Sequence, residues 1–139
     1  MSDTLSSLDL RIVTPLGLFY EGEAYMAIFQ TDSGELGVLP GHIPLTATLS
    51  STIFYMKENP EAPEQKFSIH GGFVRVEPES ITVVTQAAEW PEDINVERAQ
   101  AAKERAEQRL TEAHSENTDV ARAEYALKRA LVRLELAGH

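Results

Sequence analysis

Leu8, Leu10 and Ile12 alternate with Asp9 and Arg11, the period-two pattern of a strand with one buried face. Pro15-Leu16-Gly17 marks a turn, and residues 19–30 read as a second, longer strand. Residues 46–55 are again rich in β-formers. Residues 57–66, with Asn59-Pro60 and Pro63, make a polar connection that no strand can cross. Phe67-Ser68-Ile69 leads through Gly71-Gly72 to Phe73-Val74-Arg75-Val76. After Pro78, Ile81-Thr82-Val83-Val84-Thr85 is predicted as the last strand. Short strands, regular turn signals and no helical period indicate an antiparallel sandwich or barrel.

From Asn95 the period changes. Ala99, Ala102, Ala106, Leu110 and Ala113 recur at three- and four-residue steps, as do Ala123, Ala126, Leu127, Ala130, Leu134 and Ala137. Asn95 suits the N-cap of the first run. Asn117 or Thr118 suits that of the second, with Asp119 placed well for the helix dipole. Each helix should be about 18 residues, or roughly 27 Å, long. The short connection over residues 114–118 makes them antiparallel neighbours. The fold class is therefore mainly β plus α. An antiparallel β-sandwich covers residues 1–88, a junction 89–94, and a two-helix hairpin 95–139. Trp90-Pro91 at the junction is expected to pack the root of the hairpin on the sandwich.

The hairpin seam is mostly alanine. Each Ala in place of Leu forgoes about three buried carbons at about 0.8 kcal/mol apiece, and helices of this length are marginal alone. The pair is thus a candidate for undocking or extending, against the alternative of a tightly packed alanine coil.

Between the early strands lies Asp32-Ser33-Gly34-Glu35-Leu36-Gly37-Val38-Leu39-Pro40-Gly41-His42-Ile43-Pro44-Leu45, with three Gly and two Pro in fourteen residues. Glycine allows positive φ and proline fixes φ, so this reads as a rigid loop. Leu36, Val38, Leu39, Ile43 and Leu45 are expected to be buried in it.

Charge sharpens the division into two units. The net charge is −10, and residues 1–94 carry all of it, with 4 Lys+Arg against 14 Asp+Glu; residues 95–139 hold 8 of each. An acidic first unit argues against nucleic acid as a partner. There is no cysteine, which excludes disulfides and thiolate metal sites. No apolar run approaches 18 residues, so no membrane insertion is expected, and the first residues lack the pattern of a targeting peptide. His42, His70, His114 and His139 show no metal-ligand spacing, no nucleophile motif surrounds any Ser, and no P-loop is present.

The arginines are the informative chemistry. Arg98, Arg105 and Arg109 share the spacing i, i+7, i+11 with Arg122, Arg129 and Arg133. At about 100° per residue each triplet is one stripe, and antiparallel packing brings both stripes to one edge of the hairpin. Arg109 has Glu112, and Arg122 has Asp119, at helical-neighbour spacing. Arg98, Arg105, Arg129 and Arg133 have no such partner. Four guanidiniums on one edge suit a polyanion, which they bind bidentately. The alternative is contact with an acidic protein surface.

The string from Gly34 to Leu45 closely resembles the matching loop of the ε subunits of F-type ATP synthases. The likeness continues in Val13-Thr14-Pro15, Tyr20-Glu21-Gly22-Glu23-Ala24 and Gly71-Gly72-Phe73-Val74. Ser50-Ser51-Thr52 departs from it, since the family usually has a Gly there. The resemblance implies a non-catalytic rotor subunit whose sandwich binds the γ subunit and the ring of c subunits. The contact with the ring would fall on Glu35, Leu36, Gly37 and His42. The hairpin would restrain ATP hydrolysis by extending toward the αβ catalytic head. The location implied is peripheral, on the cytoplasmic face of a bacterial cell membrane or on a plastid thylakoid.

Some bacterial members bind ATP through Ile or Leu, Asp, two variable residues, Arg and Ala. Ile94-Asn95-Val96-Glu97-Arg98-Ala99 matches this except for Asn95 in place of Asp. The upstream Glu of that site matches Glu89, and its further arginines match Arg105, Arg129 and Arg133. ATP is thus implied as a regulatory ligand, with no catalytic cofactor. The competing readings are a free-standing sandwich module that binds a small ligand, and an enzyme with its site around His42.

Overall fold

The computed structural model describes residues 7–112 and 119–138. Ten strands form two five-stranded sheets, and two helices follow. The first sheet has the order β2-β1-β9-β8-β5, from Gly17–Ala24, Leu8–Thr14, Ser80–Val84, Phe73–Glu77 and Leu45–Thr48. The second has the order β10-β7-β6-β3-β4, from Ala88–Glu89, Gln65–His70, Ser51–Lys57, Met26–Thr31 and Gly34–Val38. Pairing is antiparallel except for β1 with β9, which run parallel.

The inward positions of every long strand meet in one core. Leu8, Leu10 and Ile12 face Ile81, Val83, Val74 and Val76 of their own sheet and Ala27, Phe29, Phe54, Met56, Phe67 and Ile69 of the other. Phe54 sits between Phe29 and Phe67, with ring centroids 5.0 and 5.1 Å away. Trp90 stacks on Phe19 at 5.1 Å and meets Phe67 edge-on at 5.2 Å, so the indole closes that end of the core.

Two strand expectations are corrected. Residues 19–30 are two strands, because the chain leaves the first sheet at Ala24 and enters the second at Met26. Residues 46–55, read as rich in β-formers, divide into β5 and β6, one in each sheet. A run of β-formers cannot reveal a sheet change, since both halves have a buried face. The strand over Ile81–Thr85 is not the last: β10 follows, pairs with β7, and includes Glu89.

The rigid loop is also revised. Gly34–Val38 is edge strand β4, paired with β3, and residues 39–44 cross from one sheet to the other. Val38 is buried, and Leu36 and Leu45 pack against the core. Leu39 and Ile43 are 51% and 76% exposed, contrary to expectation. They lie on the crossover, where no strand covers them. Gly41 N–H donates to the Pro78 carbonyl at 2.8 Å, which ties the crossover to the β8–β9 turn.

At the opposite end, Gly71 and Gly72 have φ of +80° and +100°. A Cβ on Gly72 would lie 1.9 Å from the Val84 carbonyl oxygen, so only glycine fits. This turn ends β7 abruptly at His70.

Helix α1 spans Val96–Thr111 and α2 spans Val120–Leu136. Asn95 caps the first, accepting from Arg98 N–H at 3.0 Å. Asp119 itself caps the second, accepting from Arg122 N–H at 3.1 Å; Ala113, His114, Asn117, Thr118 and His139 lie outside the described residues. The two helices pack on each other through Ala99, Ala106, Ala123 and Ala130, all buried. Among the described residues, α2 is the helix that packs extensively on the sandwich, over β6 and β7.

Candidate functional site

The outward positions of β6 and β7 should face water, because Phe54, Met56, Phe67 and Ile69 take the inward ones. Instead Ser51, Ile53, Ser68 and His70 are buried, roofed by α2. Three of the four are polar, so this contact must satisfy hydrogen bonds as well as bury carbon.

Glu89 is its centre. Its Oε1 accepts from Ser68 Oγ at 3.0 Å and lies 2.9 Å from His70 Nε2. Arg133 Nε donates to Oε1 at 2.9 Å and to Oε2 at 3.2 Å. Behind the ring, His70 Nδ1 is 3.0 Å from Ser51 Oγ. Burial raises the Glu89 pKa, but hydrogen bonds from His70 and Arg133, and their charges, outweigh it and lower the pKa from 4.5 to about 2. The carboxylate is therefore ionised at neutral pH, and it ties α2 to the sandwich.

A cleft of about 320 Å³ opens beside this ion pair, lined by Glu89, Asp93, Asn95, Arg98, Ala99, Ala102, Arg105 and Arg133. Strand β10, the 3₁₀ turn Pro91–Asp93, the start of α1 and the end of α2 each contribute. Arg98 and Arg105 stand on one helix and Arg133 on the other, so two members of the α1 stripe meet one of the α2 stripe across the cleft. Among the described residues, Arg98 and Arg105 form no ion pair with a carboxylate. Three guanidiniums face two carboxylates, which leaves the cleft net positive in an acidic protein. Its chemistry suits a polyanion.

Of the residues expected at a nucleotide site, the cleft gathers Glu89, Asn95, Arg98, Ala99, Arg105 and Arg133. Ile94 and Arg129 do not line it; Arg129 is exposed one turn before Arg133. Arg133 is not unpaired, as its helix alone suggested, because its partner Glu89 comes from a strand 44 residues away. Asp93, Ser51, Ser68 and His70 were not anticipated. Alternation from Phe67 and Ile69 puts Ser68 and His70 on one outer face, and that was the available signal.

Glu35, Leu36 and Gly37 lie along edge strand β4, and His42 lies on the crossover after it. Glu35 and Gly37 are exposed, and Leu36 and His42 half-buried. The four residues form an edge of the sandwich and not a single loop tip. His42 Nδ1 is 2.6 Å from the Ile43 carbonyl, a local bond that orients the ring.

Comparison with known proteins accounts for both halves. The family model described as ATP synthase, delta/epsilon chain, beta-sandwich domain matches residues 7–91. The model of the long alpha-helix domain of the same chain matches residues 92–138. The chain belongs to the ATP synthase delta/epsilon family. The ATP synthase epsilon chain of Halalkalibacterium halodurans is 46% identical over 134 residues, covering 96% of this chain and 99% of the relative. That of Bacillus velezensis is 42% identical, covering 97% and 100%. A chain in the structure of the Euglena gracilis mitochondrial ATP synthase (OSCP/F1/c-ring) superposes with a TM-score of 0.83 at 24% identity, covering 99% of this chain and 85% of that one. This last likeness is one of fold. No described helix is long and apolar enough to cross a membrane.

Proposed function

We propose that the chain is a non-catalytic subunit of the central stalk of a bacterial F-type ATP synthase. It would sit peripherally on the cytoplasmic face of the membrane and couple proton translocation to ATP synthesis. The sandwich binds the γ subunit, and its edge over Glu35, Leu36, Gly37, Leu39, His42 and Ile43 meets the ring of c subunits. The full-length match to bacterial epsilon chains supports this reading, as does the apolar exposure of Leu39 and Ile43 beside polar Glu35 and His42.

The hairpin is the regulatory element. Docked, it leaves hydrolysis uninhibited; extended toward the αβ head, it restrains it. ATP, bound in the cleft with its phosphates on Arg98, Arg105 and Arg133, favours the docked form, because undocking separates Arg133 from α1 and Glu89. The observation that carries the ligand reading is the convergence of three guanidiniums from two helices on one cleft of about 320 Å³.

Calorimetric titration of the full chain with ATP tests it. Measurable binding that Arg105→Ala weakens at least tenfold is expected, and no heat at millimolar ATP would remove the site. Arg129→Ala separates the cleft as lined from the wider set the sequence implied: little change is expected if only the lining residues bind. Co-purification with γ from native membranes tests the assembly.

A further inference from the structure

His70 is buried, with 4% exposure, and Ser51 and Ser68 beside it are 7% and 0% exposed. Both ring nitrogens of His70 are engaged, Nδ1 with Ser51 at 3.0 Å and Nε2 with Glu89 at 2.9 Å. Glu89 in turn holds Arg133 through Nε alone, which leaves the two terminal nitrogens of that guanidinium for a ligand in the cleft it lines.

We propose that His70, seated on Ser51, is a positioning residue for the Glu89–Arg133 arm of the cleft, and that the proton it takes up couples polyphosphate binding to pH. The inference rests on the ATP reading above. With a neutral ring, Nε2–H donates to Glu89 and Nδ1 accepts from the Ser51 hydroxyl. With a protonated ring, both nitrogens donate and the Ser51 hydroxyl turns to accept. Neither state leaves a buried polar atom unpaired, so the proton is added without breaking the network.

The charges around the ring set the direction. Glu89 of β10 touches it, and Arg133 of α2 lies beyond that carboxylate. Asp93 of the 3₁₀ turn and Arg98 and Arg105 of α1 line the same cleft. From β6 and β7 the described hydrogen-bond network takes the neutral hydroxyls of Ser51 and Ser68; the lysines of these strands, Lys57 and Lys66, do not enter it. A proton on His70 therefore offsets Glu89, the carboxylate nearest Arg133. That lessens its repulsion of phosphate and its hold on the guanidinium. By linkage, a bound polyphosphate favours the protonated ring, and acidification tightens binding.

The test is calorimetric titration of the full chain with ATP at pH 6 and pH 8, each in two buffers of different ionisation heat. His70→Gln keeps a donor toward Glu89 but carries no proton, so it reports the protonation of ATP itself. The wild type should gain about three- to tenfold more affinity at pH 6 relative to pH 8 than this variant does, the effect of one charge screened by its surroundings. It should also take up additional protons on binding. Affinity at pH 8 should survive in His70→Gln and fall in His70→Ala, which loses the donor. Ser51→Ala keeps the ring but removes the acceptor for the second N–H, and should shrink the excess uptake; it serves if the His70 variants do not fold. Equal pH slopes and equal proton uptake in wild type, His70→Gln and Ser51→Ala would overturn the inference alone. Absence of ATP binding at both pH values would overturn the ATP reading and this inference with it.

Discussion

The two contacts that hold this molecule together are built from different materials. Inside the sandwich, sixteen buried apolar residues meet among those described, with Phe29, Phe54 and Phe67 stacked at its centre. Between the sandwich and the hairpin, the sheet offers Ser51, Ile53, Ser68 and His70; the hairpin's buried alanines lie in its own seam, and its other buried apolar residues among those described are Leu134 and Leu136. The first contact is strong and insensitive to charge. The second includes three buried polar side chains and is tied by one carboxylate shared among Ser68, His70 and Arg133. A contact of that kind can be released at modest cost and can be tuned by a ligand or a proton, which an aromatic core cannot.

The largest expected effect breaks the core. Phe54→Ala removes the middle ring of the stack and should cost about 3–5 kcal/mol of global stability in chemical denaturation. Arg133→Ala should cost less and act elsewhere. It leaves Glu89 with only neutral donors and His70, and should loosen docking by roughly 2–3 kcal/mol. Hydrogen exchange would then speed up in α2 while β6 and β9 stay protected. Loss of protection throughout would mean that the hairpin is integral to the sandwich and that the contrast is false.

The contrast also explains what could be read beforehand. Period-two alternation at Leu8, Leu10 and Ile12 and helical steps at the alanines are local signals, and both elements form where they point. The sheet change at Tyr25 was hidden, because nothing local marks which sheet a buried residue faces. The same limit applied to the site. Convergence of Arg98, Arg105 and Arg133 follows from helix geometry, so it was legible. The pairing of Arg133 with Glu89, and the burial of His70 under α2, depend on how the hairpin lies on the sheet, which no spacing within either element encodes.

The next effect is one of pH. The Glu89 pKa falls from 4.5 unfolded to about 2 folded, so its contribution is fully present above about pH 4.5 and is lost as pH drops toward 2. The shift corresponds to about 3–4 kcal/mol, which screening at a side chain 26% exposed reduces to roughly 2–3 kcal/mol. Unfolding midpoints measured from pH 6 to pH 2.5 should fall more steeply in the wild type than in Glu89→Gln. Parallel curves would place the acid sensitivity among other carboxylates and remove Glu89 from the centre of the weak contact.

The smallest effect tests whether the hairpin's own helices, as opposed to its docking, limit its stability. Asn95 accepts from Arg98 N–H, and its side chain also lines the cleft. Asn95→Ala removes the cap and should cost about 1 kcal/mol, felt in the first turn of α1. Asn95→Asp keeps the cap and adds favourable charge at the helix N-terminus, so α1 should be as stable or a few tenths of a kcal/mol more so. The two substitutions therefore part company at the ligand. If the side chain serves only as a cap, ATP affinity in Asn95→Asp should equal that of the wild type, while Asn95→Ala weakens it about as much as it frays the helix. If the side chain contacts the nucleoside, Asn95→Asp should bind ATP several-fold tighter with no matching gain in helix stability. Amide exchange at Arg98 and Ala99, set beside calorimetric titration of both variants, distinguishes the outcomes. Equal ATP affinity in all three proteins would remove Asn95 from the site and show that fraying of the first turn of α1 does not reach the ligand.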